Sequence, residues 1–242
     1  MRYTHNIKII RKRKHTLKIS LVLTIILAVL ILFLGFTKLD AKLFFGGFLE
    51  SSIRVLIAYF LALTIAVVTV LIVTSSLAVE SVMVPILDAF QSFPAFALFP
   101  LLIVWFGKGS LDVIIILVLE MIWPIIFTLI TAQKQIKQDL VEASKIFGAK
   151  GAKYIFYVLF PIMLPAIITG SIVAWGEAWE TIIAAEIIVS VPGLGTYLAK
   201  AGNSGQTPVL IIGILLLLLL LFIINKYVWL SLLNTSTKYQ QE

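Results

Sequence analysis

No cysteine occurs anywhere in the chain, which rules out a disulfide framework and a thiolate metal site alike. Histidine is almost as scarce. The two present, His5 and His15, both lie in a basic N-terminal tail, so no Ser-His-Asp constellation can be assembled, and two solvated tail imidazoles fall short of a metal's ligand count. A phosphate-binding loop is missing too. The nearest stretches, "FGKGS" and "GAKGAK", lack the glycine spacing and the hydroxyl that let backbone N–H groups and a lysine cradle a nucleotide. The chain therefore carries no ATP-hydrolysing site of its own and is not by itself an enzyme. Charged residues are few, at 13% against about 25% in a soluble domain.

Apolar residues fill the space: 61% of the chain is hydrophobic and the mean hydropathy is +1.10, the composition of an integral membrane protein embedded in a lipid bilayer. The net charge of +7 does not point to nucleic acid, because the basic residues gather at the ends of apolar runs, where membrane topology accounts for them. The opening "MRYTHNIKIIRKRKHTLK" followed by "ISLVLTIILAVLILFLGF" has the order of a signal peptide. Its apolar run is long and no small-x-small cleavage site follows, so an uncleaved first span is expected.

A spanning helix needs roughly 20 mostly apolar residues, since lipid offers no partner to a free backbone group. Six stretches qualify: Ile19–Phe36, Ile53–Ser75, Val82–Phe106, Leu111–Thr131, Tyr154–Trp175 and Pro208–Asn225. Pro85, Pro94 and Pro100 in the third and Pro124 in the fourth predict kinks. With the N-terminus inside, the outer segments hold only Lys38, Lys42, Arg54, Lys108 and Lys200 of the 19 basic residues. That asymmetry places both termini in the cytoplasm of a multi-pass protein of the cell membrane. The chain then divides into a basic tail, 1–18, one membrane domain, 19–225, and a C-terminal cytoplasmic tail, 226–242. The long outer connection from Gly176 to Thr207 begins too apolar to be a free loop; it reads as a continuation of the fifth helix or a re-entrant piece before the turn at Pro192–Gly195.

Few polar residues sit in or near the spans, and each is expensive there unless it packs or works. Asp88 with Gln91, and Glu120 nearer mid-span, are candidates for a solute pathway or for an ion-coupled carrier; polar packing between helices is the alternative. Trp175, Glu177, Trp179 and Glu180 form an aromatic and acidic group, placed either on the pathway or, for the tryptophans, as interface anchors.

The segment "EASKIFGAKGAKYIFYVLFPIMLP", Glu142 to Pro165, is the most soluble-looking passage in the middle of the chain. Ile136, Leu140, Ala143 and Phe147 share one helical face, Gly148 ends or bends the helix, and Tyr154 opens the next span. An amphipathic helix over about 134–150 is thus presented at the cytoplasmic face. Two readings stay open: a helix held on anionic lipid by its lysines, or a docking helix whose Ile146 and Phe147 anchor in a groove of a cytosolic partner.

The same residues resemble the importer-type ABC permeases, whose cytoplasmic motif runs Glu-Ala-Ala, three residues, Gly, nine residues, Ile-x-Leu-Pro. Here it reads Glu142, Ala143, Ser144, Gly148, Val158, Phe160, Pro161, with the spacing met in full and modest substitutions at 144, 158 and 160. "FPAFALFPLLIVWFG" and "AWETIIAAEIIVSVPGLGTYL" look like the permeases for nitrate, sulfonate, taurine or bicarbonate. The resemblance implies an all-α, six-helix type I importer (MetI-like) fold and two permease copies forming the pore. It also implies a cytosolic ATPase dimer that holds ATP and Mg, and an extracytoplasmic substrate-binding protein. Glu142, Ala143, Ser144, Ile146, Phe147 and Gly148 would form the coupling helix, and the solute would be a small anion or an organosulfur compound. The competing reading is a secondary transporter using Asp88 and Glu120; a scaffold with no transport role is a third.

Overall fold

The computed structural model describes residues 39–238; the tail with its two histidines and the expected span Ile19–Phe36 lie outside them. Every regular element among the described residues is helical.

Helix α1 (Ala41–Val73) starts where Asp40 accepts the Leu43 N–H at 3.1 Å, which satisfies one orphan donor of the first turn. Its buried residues Ser51, Val55, Ala58, Ala62, Ala66, Val70 and Val73 recur every three or four positions. The alanines make this stripe narrow enough for close helix approach. The opposite face, with Leu49, Ile53, Leu56, Phe60 and Ile65, is exposed, as expected of a surface turned to lipid. Helix α2 (Leu77–Gln91), capped by Ser76, stops at Ser92–Pro94. After a short 3₁₀ turn, Ala95–Leu98, the chain continues as α3 (Phe99–Phe106).

Helix α4 (Ser110–Lys134) is the centre of the bundle, packed between α1 and α6. At its crossing with α6 a side chain on Gly170 would meet Ile125 Cα at 3.1 Å and Pro124 O at 3.2 Å, so glycine sets the separation of the two helices. The short α5 (Gln138–Ile146) follows. Then comes α6 (Ala152–Val189), 38 residues, or about 57 Å at 1.5 Å per residue. It contains a π-turn at Ile155–Leu159 immediately before Pro161. Helix α7 (Leu194–Asn203) packs on α1, α6 and α8, and α8 (Thr207–Thr237) returns along α6 through a second π-turn at Asn225–Trp229.

Four helices, α1, α4, α6 and α8, are long and apolar enough to cross a membrane, and the broken pair α2 and Ala95–Phe106 makes a fifth candidate. This differs from the expected spans in four ways. The third is not one kinked helix but two pieces bent by 73°: Pro94 has no N–H to give and disfavours helical geometry at Phe93. Helix α1 begins at Ala41, well ahead of Ile53, and α6 runs on to Val189, which makes the first part of the Gly176–Thr207 connection a continuation of that helix. Helix α8 likewise continues past Asn225 to Thr237.

Candidate functional site

Three polar features interrupt the apolar bundle. The first is α5 at the end of the molecule where α4 finishes and α6 starts. Its last turn closes with the Phe147 N–H on Ala143 O (3.1 Å) and the Ala149 N–H on Ser144 O (2.9 Å) around Gly148 at φ +81°, the closure of a helix that ends on a left-handed glycine. Gly151, at φ +55°, makes the second bend before α6. Ser144 is buried and donates its hydroxyl to Val141 O at 2.7 Å, and Glu142 is exposed. Ile136 packs against the core. Leu140 is exposed, while Ile146 and Phe147 are 83% and 89% exposed, so the tip of the helix is apolar and uncovered. Nearby, Lys134 pairs with Glu80 at 2.6 Å, fixing the start of α2 to the end of α4, and Thr74, which ends α1, donates to Gln133 at 2.8 Å.

The second feature is a groove between α4 and α6. Glu120, Thr128, Thr131 and Gln135 fall within one sector of α4, and Thr169, Glu177 and Glu180 within one sector of α6, by the helical repeat. At the threonine end of these sectors an open cleft of about 450 Å³ is lined by Thr128, Thr131, Gln135 and Thr169 among others; the three glutamates lie outside its lining. Glu120 lies in electrostatic range of Glu180, and Glu177 of both. Among the described residues no basic side chain pairs with any of the three.

The sequence group around Glu177 is thereby divided. Trp175 and Trp179 point away from the carboxylates, a rotation of roughly 200° from Trp175 to Glu177 on an α-helix. Trp179, 2% exposed, stacks on Phe48 with centroids 5.1 Å apart, and Trp175 meets Tyr59 and Trp229, tying α1, α6 and α8 together. Asp88 and Gln91 are exposed on α2, apart from the three glutamates. A separate apolar cavity of about 520 Å³ at the α2 break is lined by Phe90, Phe93 and Trp123.

The third feature went unread in the sequence. Glu186, 0% exposed, accepts from Ser51 Oγ at 2.7 Å, from Arg54 Nη1 at 2.7 Å and from the Gly195 N–H at 2.8 Å. Arg54 also donates to Pro192 O (2.7 Å) and, through Nε, to Ser110 Oγ (3.1 Å). Ser51 Oγ accepts from the Leu194 N–H at 3.0 Å. A Cβ on Gly193 would collide with the Glu186 carboxylate, and one on Gly195 with Ile183 O. The signal was an acid inside "IIAAEIIV" and an arginine inside "SSIRVLIAYF": two opposite charges, each too costly in apolar surroundings without the other. Topology counting had treated Arg54 as a loop charge.

Residues 75–231 match the family described as binding-protein-dependent transport system inner membrane component. The chain is 30% identical over 144 residues to the taurine transport system permease protein TauC of Escherichia coli (strain K12), covering 60% of this chain and 52% of that protein. It is 25% identical over 144 residues to the nitrate import permease protein NrtB of Synechocystis sp., again 60% and 52%. To the riboflavin transport system permease protein RibX of Chloroflexus aurantiacus it is 28% identical over 138 residues, 57% and 52%. The chain spans about half the length of the curated relatives it matches.

Proposed function

The chain belongs to the family of binding-protein-dependent transport system inner membrane components, and from that membership we propose that it is the permease subunit of an ATP-driven importer. The observation that carries this reading is the exposed Ile146–Phe147 tip, at the end of a short helix that two left-handed glycines, Gly148 and Gly151, connect to α6. Apolar side chains so exposed on a compact helix suit a groove in a partner. In this reading the partner is a cytosolic ATPase dimer that binds ATP and Mg, with both termini of this chain on the cytoplasmic side. Glu142, Ala143, Ser144 and Gly148 shape the helix; Ile146 and Phe147 make the contact. A second permease copy completes the pore, and an extracytoplasmic binding protein delivers the solute.

The pathway in this proposal is the α4–α6 groove, with Glu120, Glu177 and Glu180 at one part and the threonines at another. Three carboxylates without a paired cation repel a bare inorganic anion and attract a positive group. Among the solutes named for the relatives, a small organosulfur zwitterion with an ammonium group fits better than nitrate. Family membership lends no support to an ion-coupled carrier built on Asp88 and Glu120.

Proteoliposomes holding the permease with its ATPase test both parts. Uptake of solute delivered by the binding protein is expected to require ATP on the ATPase side and to be competed by aminosulfonates, not by nitrate. Uptake driven by an ion gradient without ATP sinks the importer reading; competition by nitrate alone sinks the solute class.

A further inference from the structure

The Glu186–Arg54 pair lies in neither the groove nor the α5 tip. A buried pair of this kind is seldom retained for stability, because apolar residues of similar volume often hold a fold as well or better. What the pair does hold is a junction. Glu186 belongs to the last turn of α6, Ser51 and Arg54 to α1, Ser110 to the first residue of α4, and Leu194 and Gly195 to the first turn of α7.

Helix α7 has glycine at its N-cap, with no side chain to serve its first N–H groups. Ser51 and Glu186 serve them instead, so the placement of α7 is dictated by α1 and α6. Around the end of α7 the stretch over residues 202–207 is exposed and holds only glycine and polar residues, a surface suited to a reversible, wet contact. From Glu186 the helix α6 runs back without a gap to the glycine turn that carries α5. Glu186 thus joins α7, through an unbroken α6, to the α5 tip at the other end.

We propose that Glu186 and Arg54 are positioning residues that transmit the docking of the solute-binding protein on α7 and the 202–207 turn to the ATPase at α5. The proposal rests on the importer reading above. It makes the pair necessary for stimulated ATP hydrolysis and dispensable for basal hydrolysis.

The complete complex of permease, ATPase and liganded binding protein in nanodiscs provides the test, with basal ATPase rate and fold-stimulation by the binding protein as separate readouts. Glu186→Gln is expected to leave the basal rate within about twofold and to cut stimulation by about tenfold, the effect of a coupling free energy in the usual range. The double variant Arg54→Met/Glu186→Met removes both charges and keeps the volume. It is expected to assemble with a near-native thermal midpoint and still to lack stimulation; should Glu186→Gln fail to assemble, this variant decides. Normal stimulation in the assembled double variant overturns the proposal. A wild-type permease that does not bind the ATPase sinks the importer reading instead, a result visible before any variant is made.

Discussion

Replacing Phe147 by alanine separates the stability of this chain from its proposed docking. The ring is 89% exposed, so the isolated permease loses almost no buried surface, and its unfolding free energy should stay within about 0.5 kcal/mol of wild type. In a partner's groove the same ring would be fully covered, and burying a phenylalanine is worth about 2–3 kcal/mol. Truncation then weakens the complex by roughly 30- to 150-fold in Kd. The assay is the affinity of nanodisc-embedded permease for its purified ATPase subunit, beside a thermal melt of the permease alone. An unchanged affinity refutes docking through this side chain and returns α5 to the lipid-surface reading. A lowered melting temperature of the isolated permease refutes the exposure on which the estimate is built.

Two further outcomes follow from backbone geometry. Gly195→Ala puts a methyl group into Ile183 O and should cost at least about 2 kcal/mol in a thermal melt, whereas Gly46→Ala, with open space around it, should be neutral or stabilise α1 by up to about 1 kcal/mol; equal effects at the two sites would contradict the packing described. Ser190 ends α6 in the left-handed region at φ +63°, so Ser190→Gly should raise the unfolding free energy by about 1 kcal/mol, and a loss of stability would show that the serine hydroxyl matters more than its backbone.

Hydropathy located the bundle because a spanning helix must be apolar over most of its length, and α4, with Leu111–Thr131 expected against Ser110–Lys134 observed, is nearly as read. It failed at the ends where polar residues are paired. Arg54 and Glu50 lowered the apparent hydropathy of α1, and its first three turns fell outside the expected span; the end of α6 beyond Trp175, read as either a continuation of the helix or a re-entrant piece, is the continuation. The break after Gln91 was half legible: three prolines announced distortion, but only Pro94 divides the helix, while Pro85 sits inside α2. Gly148, expected from sequence to end or bend the amphipathic helix, does end it, and the structure adds that it does so in the left-handed region. The groove needed the structure, because Glu120 and Glu177 are distant in the chain, and the neighbours Trp175 and Glu177 face opposite ways. The Arg54–Glu186 pair needed it most, since the two charges stand 132 residues apart.

Borrowed capping also sets an order of assembly. Helix α7 cannot satisfy its own first turn, and Ser51 and Glu186, which do so, come from helices made earlier in the chain. During synthesis α1 and α6 must therefore meet before α7 gains a stable start, and the glycine turn before it settles only after that meeting. Until α1 and α6 have met, the first turn of α7 lacks the partners that cap it, which makes this short helix the late-closing clasp of the membrane bundle.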